Sequence, residues 1–256
     1  MVRTGLAVAG AACLLAAGTI VSWTWGERGE RSEVTALPAV AEVRLAGAVG
    51  KVEVEHRPGA RAEVRERIRG GEGDGPRHRL EGGALVLPGC GDGCSIDYAI
   101  TLPEPVPVLG ESSAGELDVI GMASVAVRVS AGAVRVEDVA GPVRVRGTSG
   151  GIELRGLGGD VDVATGSGGI SGEDLGGQVV AARTRAGSVE LELTAPREVR
   201  AETGTGGVEL RVPDGGYRVR AATGTGSRDV EVTTDPSSPR LLDLRTGTGS
   251  IEVEAR

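Results

Sequence analysis

One short phrase recurs eight times between residue 113 and the C-terminus. It consists of a small or hydroxyl residue, a glycine, one variable residue and then an alternating apolar and polar run. Ser130-Ala131-Gly132-Ala133-Val134-Arg135-Val136, Gly204-Thr205-Gly206-Gly207-Val208-Glu209-Leu210 and Gly247-Thr248-Gly249-Ser250-Ile251-Glu252-Val253 are examples. The first apolar positions read as Leu117, Val134, Ile152, Ile170, Val189, Val208, Val230 and Ile251, spaced by 17, 18, 18, 19, 19, 22 and 21 residues. In that alignment the seventh copy carries two extra residues, Arg228 and Asp229, which read as a bulge or widened turn. A second short strand lies between copies, as in Val143-Arg144-Val145-Arg146, after turns such as Gly141-Pro142 and Gly176-Gly177. Period-2 alternation places Val, Leu and Ile on one face and charged residues on the other. One two-strand coil cannot bury its apolar face alone, but a stack of coils closes a continuous interior and pairs every backbone ladder. Glycine supplies positive φ where the chain must reverse within two or three residues. The expected fold is therefore all-β. It is a single-stranded β-helix, or β-solenoid, of about eight two-strand coils over residues 106–256. Seven steps at about 4.8 Å make a rod on the order of 35 Å long.

Composition fits thin stacked layers. The 44 glycines follow the repeat rather than a three-residue period, which excludes collagen. There is no Phe, Trp23 and Trp25 lie near the N-terminus, and the remaining aromatics are Tyr98 and Tyr217. The net charge of −8, with Arg alternating with Glu and Asp, argues against a nucleic-acid footprint.

Upstream the 18-residue rhythm fades. Residues 40–105 read as an N-terminal β cap of antiparallel hairpins, protecting an end of the stack that would otherwise pair with another chain. Gly70 to Pro76 reads as a surface loop and residues 27–39 as a linker. No charged residue occurs from Thr4 to Gly26, with Arg3 before the run and Trp23 and Trp25 at its end. That pattern fits a transmembrane or signal helix over residues 1–26. An uncleaved anchor, a cleaved signal ending near Ala16-Ala17-Gly18 and a lipoprotein acylated on Cys13 stay open, and all three export the rest of the chain.

The apolar N-terminus, the block Leu80-Glu81-Gly82-Gly83-Ala84-Leu85-Val86-Leu87-Pro88-Gly89-Cys90-Gly91-Asp92-Gly93-Cys94-Ser95-Ile96-Asp97-Tyr98 and the Thr-Gly-Thr-Gly repeats together resemble the bacterial "putative adhesin" domain family of unknown function, in its actinobacterial, membrane-anchored form. The resemblance covers roughly residues 40–256. It implies a β-helix on the outer side of the membrane, and it brings no activity and no catalytic residues.

Cys90 and Cys94 are separated by Gly91-Asp92-Gly93, and in an exported protein such a pair most simply forms a disulfide. Free thiols or a metal pair are the alternatives, and neither His56 nor His78 completes a metal set in sequence. Gly147-Thr148-Ser149-Gly150-Gly151 matches the Gly-x-Ser-x-Gly nucleophile elbow, but a strand follows it and both histidines lie upstream. Asp160, Asp162, Glu173 and Asp174 form no calcium repeat or EF-hand loop. No catalytic, cofactor-binding or metal residue is expected. The expected function is a non-catalytic binding or scaffold module of the cell envelope. Its expected partners are the membrane, through the N-terminal segment, and an envelope protein or glycan, with no nucleic acid. An envelope-stress sensor acting through a membrane partner and a polysaccharide-active enzyme are the other readings. Glu153, Glu190, Glu209 and Glu252, with Arg144, Arg200 and Arg218, are expected to form stripes of like type along one face of the rod.

Overall fold

The computed structural model describes residues 30–70 and 76–256. The segment 1–26, read above as anchor or signal, lies outside the described residues, as do residues 71–75 of the expected surface loop. All regular structure among the described residues is β, and none of it is a helix long and apolar enough to cross a membrane.

The strands form two sheets of 12 and 11 strands. In the first, Glu30–Ala36 and Glu63–Arg69 are antiparallel, and the remaining ten strands run parallel. In the second, Arg79–Glu81 is antiparallel to Ala84–Pro88, again leaving ten parallel strands. Each turn of chain lays one strand in each sheet, so the stack holds ten coils rather than about eight. Nine steps of about 4.8 Å make it about 43 Å long.

The two additional coils lie upstream, within the residues expected to be hairpins. Glu42–Val49 and Val52–His56 form one coil, and Ala84–Pro88 and Ser95–Leu102 form another, all in parallel ladders. Both sheets run unbroken across residue 105. The rhythm fades because the chain leaves the stack between these coils to lay down the antiparallel strands Glu63–Arg69 and Arg79–Glu81. Residues 30–36, read as linker, are a strand on the open edge of the first sheet.

Chain order and spatial order differ at both ends. The coil at 42–56 lies between the coil at 84–102 and the one at 107–120. At the other end the last coil, Leu241–Thr248 with Ile251–Ala255, sits between Glu198–Val212 and the coil of Arg218–Thr225 with Arg228–Val230. Register explains the odd seventh copy. Arg228 pairs with Ile251 and Val230 with Val253, so Arg228 and Asp229 are not inserted: Arg228 occupies the first apolar position. As the terminal coil it is open to solvent on one side, and Arg228 is exposed there. Its Nη1 reaches across to the Ala221 carbonyl at 3.0 Å. An inward charge at an edge discourages pairing with another chain, and placing it inside the stack would bury a cation. The last coil, with Leu242, Leu244, Ile251 and Val253 all buried, takes the inner place instead. Arg228→Ile is therefore expected to add end-to-end association that persists at about 1 M salt, detectable as concentration-dependent mass in light scattering.

The core lies between the sheets in continuous columns. One runs Val52, Leu117, Val134, Ile152, Ile170, Val189, Val208, Ile251, and the facing sheet supplies Val43, Val108, Val125, Val143, Val161, Val180, Val199, Leu242. All sixteen are buried. Tyr98 and Tyr217, both buried, belong to the two end coils. Their hydroxyls donate to the Pro88 and Pro213 carbonyls, at 2.9 and 2.8 Å, so a large ring closes each end and its polar tip is satisfied.

The corner after each second-sheet strand is a stacked glycine with φ between +128° and +141° at Gly132, Gly150, Gly168, Gly187 and Gly206. The N–H of Gly187 donates to Thr205 O of the next coil at 2.9 Å. The first Thr of the Thr-Gly-Thr-Gly phrase points inward. The hydroxyls of Thr165, Thr184, Thr203 and Thr246 donate to the carbonyls of Gly150, Gly168, Gly187 and Gly206 at 2.7–3.0 Å. Thr203 is 2% exposed, so Thr203→Val, which keeps the shape and removes the donor, is expected to cost about 1 kcal/mol in urea unfolding.

Candidate binding faces

The ladder sets the outward side chains of both sheets in rows. On the first sheet one row reads Glu53, Asp118, Arg135, Glu153, Ser171, Glu190, Glu209, Glu252, Asp229. The next holds Glu55, Ile120, Glu137, Arg155 and Glu173 and, beyond an irregularity between Gly172 and Leu175, Glu192, Arg211 and Glu254. On the second sheet one row reads Arg44, Leu109, Ala126, Arg144, Asp162, Ala181, Arg200, Asp243, Arg220. Its neighbour reads Ala46, Glu111, Arg128, Arg146, Ala164, Arg183, Glu202, Arg245, Ala222.

The expected stripes are corrected in two respects. The glutamates do share a row, but the arginines lie on the opposite sheet, not on the same face. Arg218 is not in the row of Arg144 and Arg200: it pairs with Leu241, and Arg220 takes the place expected for it. The shift is two residues, because Val219 and not Tyr217 stands opposite Leu242 in the apolar column.

Ion pairs link neighbouring rungs. On the first sheet Lys51 Nζ meets Asp118 at 2.7 Å, Arg135 meets Glu153 at 2.8 Å, Arg155 meets Glu173 at 2.9 Å and Arg211 meets Glu254 at 3.2 Å. The Asp118 hydrogen bond, then its charge, raises the Lys51 pKa. Glu190, Glu209, Glu252 and Asp229 follow one another with no cation between them in the row, although Glu209 meets Arg211 of the next row at 2.5 Å. Glu252 is held above its ordinary value, first by a hydrogen bond shared with Glu254 and then by the charge of Glu254; slight desolvation, Glu209 and Asp229 add to it. On the second sheet Arg146 and Arg183 converge on Asp162 and Arg128 meets Glu111 at 3.2 Å across rungs, while Arg245 meets Asp243 at 3.2 Å and Arg200 meets Glu198 at 2.6 Å within single strands. Exposed pairs of this kind are worth roughly 0.2–1 kcal/mol each. They order the surface more than they stabilise the fold.

The other residues singled out from sequence serve the scaffold. Cys90 and Cys94 form a disulfide with their Cα atoms 5.7 Å apart, beside the coil of Ala84–Pro88. Ser149 ends a strand and Ile152–Leu157 follows, so the Gly-x-Ser-x-Gly match sits at a strand–corner–strand. Asp160 accepts the Val179 N–H at 3.0 Å, and Asp174 adopts φ +54° at the irregularity within Ile170–Leu175. His56 Nε2 lies 3.1 Å from the Pro103 carbonyl. Among the described residues no three His, Cys, Asp or Glu side chains are grouped to hold a metal ion.

Sequence reasoning missed one buried polar cluster. Glu66 points inward between Val64 and Ile68 and is 1% exposed. Its carboxylate accepts the Arg77 N–H at 3.0 Å and the His78 N–H at 2.7 Å, and His78 Nδ1 lies 3.2 Å from it. Burial, then the Glu66 charge, pushes the Tyr98 phenol well above its usual range. Glu66 fastens the chain returning at residues 77–78 onto the end of the stack. The only signal in sequence was a carboxylate at an apolar position of an alternating strand.

The fold is thus a parallel two-sheet stack with long charged faces. No protein-family model matches the chain, and no curated protein matches it in sequence. Among solved structures it is similar to a "putative adhesin" from Bacteroides fragilis, at 11% identity, TM-score 0.48, covering 89% of this chain and 98% of that one. It is also similar to a "putative adhesin" from Parabacteroides distasonis, at 9% identity, TM-score 0.41, covering 88% and 97%. Similarity at this level assigns no function.

Proposed function

We propose that this chain is an extracytoplasmic, membrane-anchored, adhesin-like binding or scaffold module of the bacterial cell envelope that works without a catalytic centre. The observation that carries the reading is the pair of outer faces, which present rows of charged side chains in register along the whole stack. Such a surface suits a long or repetitive partner whose binding is spread over many weak contacts. The uncharged run Thr4–Gly26 and the Cys90–Cys94 disulfide support an exported, anchored setting.

The test is affinity capture. The immobilised protein is incubated with fractionated envelope material, and what it retains is identified by mass spectrometry and glycan analysis. The expected result is saturable retention of one envelope component, weakened stepwise as charges in one row are reversed. Retention of nothing at high loading, or the loss of all binding with turnover abolished by one substitution, would sink the reading.

A further inference from the structure

Sorting outward side chains by sheet reveals an imbalance hidden by the net charge. The two rows described on the first sheet carry twelve carboxylates and three arginines. Those on the second carry eight arginines and four carboxylates. A third outward position on the second sheet adds Glu42, Glu198 and Arg218, so the molecule has one strongly acidic and one mildly basic broad face. Among the described residues Arg144 and Arg220 on the basic face form no ion pair, while four acids follow one another on the other face with no cation between them, and of these Glu209 alone meets an arginine, Arg211 of the next row. Like charges on adjacent rungs repel. A partner surface of opposite charge would relieve both.

We propose that the occupant of each face is the opposite face of a second copy of this chain, so that copies stack laterally, acidic sheet on arginine sheet. Three features favour a copy over another polyion. The signs are complementary. Both faces share one rung spacing, because both are cut from the same ladder, so rows on one copy stay in step with rows on the next along the full length. The area is adequate: about 43 Å by about 20 Å gives roughly 850 Å² per copy, the size of an ordinary stable interface. The contact is heterologous, since it joins two different surfaces, and it propagates into an open stack. The net charge of −8 opposes approach at long range, but screening within about 8 Å at physiological salt leaves the contact-scale complementarity in charge. The inference goes beyond the binding reading and does not depend on any foreign ligand.

The experiment is sedimentation velocity on the full chain, held in solution by a non-ionic detergent. Three proteins are compared: wild type, the triple variant Glu190→Arg/Glu209→Arg/Glu252→Arg, and the triple variant Arg183→Glu/Arg200→Glu/Arg245→Glu. All six positions are outward, and unchanged circular dichroism confirms folding. Wild type is expected to associate at about 0.1 M salt and disperse at about 1 M, where charges are screened within about 3 Å. Each variant alone is expected to remain monomeric, and an equimolar mixture of the two to form complexes again. Restoration by mixing separates face pairing from association through the apolar N-terminus, which every variant retains. A wild type that is one species at all salt concentrations, or association unchanged in either variant, would overturn the proposal. So would retention on an anionic polysaccharide without self-association, which would give the arginine face to an anionic polymer. If a variant fails to fold, the wild-type salt series still decides.

Discussion

Gly187→Ala is expected to lower the unfolding free energy by about 4 kcal/mol, while Gly169→Ala, 18 residues earlier, changes it by less than about 1 kcal/mol. The contrast follows from geometry. Gly187 has φ +141°, a backbone region that L side chains rarely adopt. A Cβ there would stand 2.2 Å from Gly168 O and 2.5 Å from its carbonyl carbon, and both are backbone held by the neighbouring coil. Relief requires separating two coils, which would break the Gly168 N–H to Ala186 O bond and the Thr184 hydroxyl bond to Gly168 O. Gly169 has ordinary φ, and the nearest atom to its Cβ would be Ser188 O at 3.7 Å, a normal contact. Chemical denaturation of both variants checks the prediction. Equal effects would mean that the corners are looser than the stacked carbonyls indicate.

Glu66→Ala should be nearly as damaging, costing about 3 kcal/mol, with Glu66→Gln at about half that. The carboxylate satisfies two buried backbone N–H groups, at Arg77 and His78. Removing one partner leaves the other groups desolvated and unpaired, at about 1–3 kcal/mol for each group. Gln keeps one acceptor oxygen in place but loses the charge. The loss should be local, so hydrogen exchange should speed up at residues 77–88 and 95–102 before it does so in the coils beyond 124. A Glu66→Ala protein as stable as wild type would show that residues 77–78 are held by other contacts.

These two sites mark the limits of what the sequence displayed. The glycine corner was legible, because each copy needs the same reversal and therefore repeats the same residue. The row of Glu153, Glu190, Glu209 and Glu252 was legible for the same reason. What repetition cannot reveal is where repetition stops. Arg228 read as an insertion because every copy was assumed to need an apolar first position, yet a terminal coil has solvent on one side and tolerates a charge there. The coils at 42–56 and 84–102 were hidden by the antiparallel strands between them, which lengthen the interval far beyond the period. Glu66 drew no notice in sequence, since its partners are backbone N–H groups that carry no sequence signature. The inward Thr203 was passed over because a hydroxyl next to glycine reads as turn chemistry, while here it bonds to the neighbouring coil. The charge sorting required knowing which sheet each strand joins, and alternation alone does not supply that.

Both functional readings rest on one arrangement, ten coils in an exchanged order that carry continuous rows on each face. Cysteine cross-linking tests it most directly, in a Cys13→Ser background. Glu209 and Glu252 are directly opposed on adjacent parallel strands, within the Cα separation that a disulfide spans. Glu209 and Asp229 are two strands apart, at about 9.6 Å, beyond disulfide reach. Glu209→Cys with Glu252→Cys is predicted to oxidise to an intramolecular disulfide, and Glu209→Cys with Asp229→Cys is predicted to remain reduced. The reverse pattern would place the coils in simple chain order and contradict the account.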